Sequence, residues 1–171
     1  MRQLAFLRHA KSDWGAANLP DHERPLSARG ERAALVMGRY LAQIGYRAQT
    51  VVCSTAMRTR QTLDLVGSQC ALPGAHFTRD LYLCGPRDLI RSLQSLPASA
   101  GDVLIVGHNP DIELAVQFLA NPASAPDLLR SVTAKYPTAG LTLLGIPTGS
   151  AFPGPDRCAA LLDFQSPKML V

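Results

Sequence analysis

Short, uninterrupted apolar runs alternate along this chain with segments whose apolar residues return every three or four positions. Leu4-Ala5-Phe6-Leu7 and Val103-Leu104-Ile105-Val106 show no alternation with polar residues, the pattern of strands buried on both faces. Strands are therefore read over residues 2–8, 49–54 and 102–107, with a short one over 76–81 and two late ones over 140–145 and 159–164. Between them, Ser27 caps a helix whose positions Ala33, Met37, Tyr40, Leu41 and Ile44 share a face until Gly45 stops it. Ser54-Thr55 caps a second helix over about 56–69. Gly85-Pro86 starts a third, with Leu89, Ile90, Leu93 and Leu96 on one side and Pro97 at its end. Asn109, with Pro110 at the first helical position, opens a fourth that reaches about residue 120. Residues 11–25 form a polar loop, 121–137 a proline-rich connection with one helical turn near 128–132, and 149–157 a surface hairpin loop without evident chemistry. No internal repeat is visible. Strands alternating with helices predict an α/β fold, a three-layer αβα sandwich around a mostly parallel central sheet.

Composition narrows the class. The 171 residues suit a single domain spanning 1–171, large enough to bury roughly 70% of its unfolded surface. With 47% hydrophobic residues and a mean hydropathy of +0.06 the chain is globular. No apolar run approaches the ~20 residues of a membrane-spanning helix. The N-terminus enters a strand at once, without a basic segment and apolar stretch of the secretory type, so a cytoplasmic protein is expected. Cys53, Cys70, Cys84 and Cys158 are far apart and match neither a C-x-x-C pair nor a zinc spacing, which predicts reduced thiols. The net charge of +4 arises from 17 basic residues, only three of them lysine. They are scattered rather than striped, which argues against a nucleic-acid partner. Arginine is also the residue that grips phosphate with two parallel hydrogen bonds.

Chemistry concentrates at the ends of three predicted strands: Arg8-His9, Ser54 to Arg58, and Gly107-His108. A parallel sheet brings these ends to one edge, where ligands bind in open α/β sheets. The second and third are followed by helix N-termini, whose free N–H groups and positive dipole end favour an anion. Arg58 falls in a first helical turn, where a cation opposes the dipole unless an anion is present. Two arginines, two histidines and few acids suit a phosphoryl group, whose oxygens need cationic clamps and fixed donors. Neighbouring positive charge would keep an imidazole neutral and nucleophilic near pH 7.

The strings Leu7-Arg8-His9-Ala10-Lys11-Ser12-Asp13-Trp14, Glu23-Arg24-Pro25-Leu26-Ser27 with Arg29-Gly30, Ser54-Thr55-Ala56-Met57-Arg58 with Gln61-Thr62, and Gly107-His108-Asn109-Pro110 occur in that order over residues 4–110. Together they resemble the histidine phosphatase superfamily, with its phosphoglycerate mutase-like fold, and within it the small SixA-like phosphohistidine phosphatase branch. The resemblance implies a covalent mechanism in which His9 is the nucleophile. Arg8, Arg58 and His108 would clamp the phosphoryl oxygens, and Arg24 would approach the substrate or the pocket rim. It implies no metal and no cofactor. Ala10 stands where much of the superfamily has glycine, a small departure shared with the R-H-A-K form of the branch.

A larger departure concerns the general acid, which ester-cleaving branches supply as a glutamate between the second helix and the fourth strand. Only Asp80 and Asp88 are carboxylates in that interval here, and neither sits in a convincing motif. Imidazole leaves more easily than an alkoxide, so a site without a dedicated acid suits a phosphohistidine substrate. Short loops without a cap domain would leave room for a protein surface. A phosphorylated protein is thus the expected partner, with a small phosphate ester as the alternative substrate of a small-molecule phosphomonoesterase or mutase-like enzyme. A non-catalytic phosphoprotein-binding module is the rival from another class. Lys11 and Asp13 are read as solvated loop residues, Arg60 as pointing away from the site, and His22 and His76 as surface or packing residues. Trp14 either seals the core edge or meets a partner.

Overall fold

A computed structural model describes residues 1–15, 17–147, 149, 151–154 and 156–171. Six strands form one sheet: β1 (Arg2–Arg8), β2 (Thr50–Ser54), β3 (Ala75–Thr78), β4 (Val103–Gly107), β5 (Leu141–Ile146) and β6 (Ala160–Gln165). Their spatial order is β3-β2-β4-β1-β5-β6. Pairings among β1 to β4 are parallel, whereas β5 runs antiparallel to both neighbours, so the sheet is mixed with one reversed strand.

The helices are α1 (Ala28–Gln43), α2 (Met57–Gly67), α3 (Pro86–Gln94), α4 (Asp111–Leu119) and α5 (Pro126–Ala134). Successive side chains of a strand point to opposite faces, and both faces are covered here. Leu4 and Phe6 of β1 join α3, α4 and α5 in one core, while Ala5 and Leu7 join α1 and α2 in the other. The chain thus leaves β1 for a helix on one face and leaves the adjacent β4 for a helix on the opposite face. That divergence opens a crevice beyond the carboxyl ends of β1 and β4.

Local chemistry sets the elements that frame this crevice. The Ser27 hydroxyl accepts from Gly30 N at 3.1 Å, capping α1 as its sequence predicts. Gly45, at φ +67°, ends that helix in a conformation costly for other residues. A Cβ on Gly30 would lie 2.1 Å from the Lys11 carbonyl oxygen, so glycine is required where α1 meets the loop after His9.

Several boundaries differ from expectation. The strand expected to reach residue 81 stops at Thr78, because the Thr78 hydroxyl accepts from Asp80 N and starts a 3-10 turn. Pro110 is the N-cap of α4 rather than its first residue. The proline-rich connection holds a full nine-residue helix, α5, with Pro126 in its first turn. The loop over 149–157 is described only in part, Ser150 and Pro155 lying outside the described residues, and its Phe152 is buried rather than superficial. Ala16, in the loop over 11–25, also lies outside them.

Candidate active site

The backbone at the end of β1 is held from both sides. Arg8 N donates to Gly140 O at 2.9 Å, His9 N to Gly107 O at 3.0 Å, and Ala139 N to His9 O at 3.0 Å. Ala10 N donates to the Thr62 hydroxyl at 3.0 Å, and that hydroxyl donates to Arg58 O at 2.6 Å. Thr62 therefore ties the turn after His9 to the first turn of α2. Gln61 acts alongside, its Oε1 accepting from Leu26 N at 2.7 Å. The Q-T pair of the sequence is thus structural, a role no periodicity argument supplied.

These anchors gather Arg8, His9, Arg24, Arg58 and His108 around one cavity of about 290 Å3. The two imidazole centroids lie 5.2 Å apart. His9 Nδ1 lies 2.7 Å from Ala10 O, a carbonyl that can only accept, so Nδ1 carries the proton and Nε2 the lone pair. Arg58 Nε donates to that Nε2 at 3.3 Å, and Arg58 Nη2 reaches His108 Nδ1 at 3.4 Å. His108 Nε2 lies 2.8 Å from Ser54 Oγ. Ser54 was read as a helix cap, but α2 has Ala56 as its N-cap, without a side-chain cap, and the Ser54 hydroxyl is spent largely on His108.

Burial dominates the titration of both rings. It lowers His9 from 6.5 to about 4, with Arg58, Arg8 and Arg24 adding to the depression and the Ala10 hydrogen bond opposing it. Burial likewise lowers His108 to about 3, aided by His9 and Arg58 and opposed by Asp21. Both imidazoles are neutral at pH 7. Burial also lowers Arg8, whose Nη1 donates to Tyr136 O at 2.6 Å. Its Nε has no hydrogen-bond partner among the described residues, an open donor on a side chain that lines the cavity.

Asp21 is the residue sequence reasoning missed. Its Oδ1 accepts from Arg24 Nε at 3.1 Å and Nη2 at 2.7 Å. Its Oδ2 accepts from Arg58 Nη2 at 3.1 Å and from the Tyr82 hydroxyl at 2.5 Å, while its carbonyl accepts from Arg58 Nη1 at 2.7 Å. The Tyr82 hydrogen bond, then Arg24 and Arg58, hold this carboxyl well below the usual carboxylate range. Among the described residues lining the cavity it is the sole carboxylate. Tyr82 was missed as well, and its ring stands edge-on to His108 at 5.4 Å and to His22 at 4.9 Å. His22, expected to be a surface or packing residue, is not among the residues lining the cavity and bonds through Nε2 to Thr55 Oγ1 at 2.8 Å.

Other expectations sort cleanly. Asp80 and Asp88 are not among the residues lining the cavity, and Asp88 pairs with Arg91 at 2.5 Å. Lys11 is exposed yet lines the cavity, whereas Asp13 accepts from Gly15 N within its own loop. Arg60 turns away, stacking on Phe77 at 4.6 Å. Trp14 seals nothing, being 70% exposed. The N-terminus of α4 is a poorer anion site than its sequence position implied, because Asp111 and Glu113 occupy its first turn. No helix among the described residues is long and apolar enough to cross a membrane.

Comparison with known proteins identifies the family. Residues 4–79 match the model of the histidine phosphatase superfamily (branch 1). The chain is 32% identical over 163 residues to the uncharacterized protein Rv1276c of Mycobacterium tuberculosis, covering 95% of this chain and 100% of that one. It is 30% identical over 129 residues to phosphohistidine phosphatase SixA of Escherichia coli, covering 74% of this chain and 78% of that protein. In three dimensions it superposes on the protein histidine phosphatase SixA complexed with tungstate with a TM-score of 0.80, at 23% identity and 99% coverage of both chains, a likeness of fold. The chain belongs to the histidine phosphatase superfamily, in its SixA-like branch, and is a phosphatase.

Proposed function

We propose that this phosphatase removes the phosphoryl group from phosphohistidine on a protein, by way of a covalent phosphohistidine at His9. The observation that carries the reading is the fixed tautomer of His9. With Nδ1–H committed to the Ala10 carbonyl, the Nε2 lone pair faces the Arg58 guanidinium, where a phosphoryl group would be gripped. In the first step His9 Nε2 bonds to phosphorus as the substrate P–N bond breaks, and the departing imidazole takes a proton from solvent. In the second, water attacks phosphorus, the His9 N–P bond breaks, and inorganic phosphate leaves with His9 neutral again.

Arg8, Arg58 and His108 hold the phosphoryl oxygens through both steps, and Arg24 lies at the rim. Fixed cations need no reorganisation as charge shifts in the transition state. Ser54 lets His108 take part, because a hydroxyl either accepts or donates. As it stands, His108 Nδ1 accepts from Arg58; with the Ser54 hydroxyl donating to Nε2 instead, Nδ1–H becomes a donor to a phosphoryl oxygen.

The substrate assignment is supported by the state of Asp21. A general acid must hold a proton near pH 7, and this carboxyl is kept ionised by Tyr82, Arg24 and Arg58. A P–N bond to imidazole needs such an acid less than an alkyl ester does. The test is a rapid quench with a labelled phosphohistidine protein, followed by mapping of the label. Label on His9, with kcat/KM falling in the order phosphohistidine, aryl phosphate, alkyl phosphate, is the expected result. Label elsewhere, or equal efficiency on alkyl phosphates, overturns it. Retention of phosphoprotein without turnover would reassign the chain as a binding module.

A further inference from the structure

Beside the active-site cavity runs a second groove of about 460 Å3, which shares Lys11 and Thr138 with it. All three lysines of the chain, Lys11, Lys135 and Lys168, line this groove, together with Arg29. They come from four separate places: the loop after His9, the first turn of α1, the C-cap of α5, and a 3-10 turn near the C-terminus. All four are exposed, none forms an ion pair with a described residue, and no carboxylate is among the described residues lining the groove. Elsewhere Arg24, Arg58, Arg91 and Arg130 each have a carboxylate partner. Buried Phe164 and half-exposed Met169 give the groove an apolar side as well.

We propose that this groove docks an acidic segment flanking the phosphorylated residue of the protein substrate, an inference that rests on the phosphoprotein reading above. Charge complementarity selects the occupant. Four unpaired cations leading away from a phosphoryl pocket attract carboxylates and repel basic flanks. The apolar lining of Phe164 and Met169 suits a polypeptide, whose aliphatic side chains it can cover. Nucleic acid is a poorer fit, because single strands bind through aromatic stacking platforms and no aromatic side chain lies exposed in this groove. The lysine-rich character also fits a partner recognised by overall charge rather than by the two-pronged geometry arginine provides.

Two phosphoserine peptides of equal length, one flanked by glutamates and one by lysines, test this through inhibition of aryl phosphate turnover. Phosphoserine makes the readout independent of whether phosphohistidine is the natural substrate, so failure of the groove and failure of the function proposal are separable. The acidic peptide should inhibit about tenfold more strongly at low ionic strength, and the gap should shrink in salt. Lys135→Glu with Lys168→Glu should abolish the preference while leaving aryl phosphate kcat/KM unchanged, since neither residue lines the catalytic cavity. Equal inhibition by the two peptides in the wild-type protein overturns the proposal with no variant needed. So does a preference that survives both substitutions, or inhibition by a mixed-sequence oligonucleotide of the same charge that matches the acidic peptide.

Discussion

Two neutral histidines sealed against the sheet edge should make this protein lose stability in mild acid, before its carboxylates titrate. His9 and His108 are 8% and 2% exposed, and their titration falls from 6.5 to about 4 and about 3. Below pH 6.5 the unfolded chain therefore binds two protons that the folded chain refuses. Stability follows the proton difference, so each such histidine costs up to about 1.4 kcal/mol per pH unit as the pH falls from 6.5 towards its folded value. Integrated from pH 7 to pH 5, this is about 2 kcal/mol for each ring and about 4 kcal/mol for both. Carboxylates add little in that window, since they titrate near 4 when unfolded and Asp21 titrates lower still when folded. Urea unfolding followed by circular dichroism at pH 7, 6 and 5 reads the effect directly. The free energy should drop by about 3 to 4 kcal/mol, a large share of a typical domain's stability, and the drop should be about half as large in His9→Asn. A wild-type change below ~0.5 kcal/mol, or an unaltered slope in His9→Asn, would refute the claim that both rings are buried neutral.

The same depression keeps the nucleophile ready in acid, so kcat/KM should show no loss with a midpoint near 6.5 as the pH is lowered; a midpoint there would contradict the burial of His9. Arg58→Ala should lower kcat roughly 100- to 1,000-fold, the scale of one lost transition-state donor, and Arg58→Lys should restore it only partly because a point charge cannot reproduce the fork. Full rescue by lysine would show that charge alone matters. Asp21→Asn removes an internal anion that competes for Arg24 and Arg58, so inhibition by vanadate should tighten by roughly threefold to tenfold; weaker inhibition would mean the carboxylate chiefly positions the guanidiniums. Ser54→Ala strands His108 Nε2 without a partner and should cost about 1–3 kcal/mol in urea unfolding, against no change if the hydroxyl is dispensable.

What the sequence disclosed, and what it hid, divides along physical lines. β1 and β4 were legible because strands buried on both faces must be continuously apolar, and each such run stops abruptly, at Arg8-His9 and at Gly107-His108. The site histidines and Arg58 inherited that legibility, since a parallel register carries them to one edge. Helix α5 was obscured because proline dominates its surroundings, although Pro126 in a first turn is compatible with a helix. Asp21 and Tyr82 were not legible. Asp21 lies in a polar loop without periodicity, and its bonds reach Arg58 and Tyr82, 37 and 61 positions away. Ser54 was misjudged because a hydroxyl near a helix start satisfies the capping pattern whether or not another partner claims it.

The chain's single tryptophan gives the site an optical readout of its own. The Arg24 guanidinium sits 3.5 Å above the Trp14 ring, and Trp14 lines the cavity while remaining open to water. Arg24 is joined through Asp21 to Arg58, so an oxyanion that draws either guanidinium inward disturbs the cation resting on the indole. Emission from that one ring should therefore change as ligand arrives and departs, an expected outcome that stopped-flow fluorescence on the unmodified protein checks without any label.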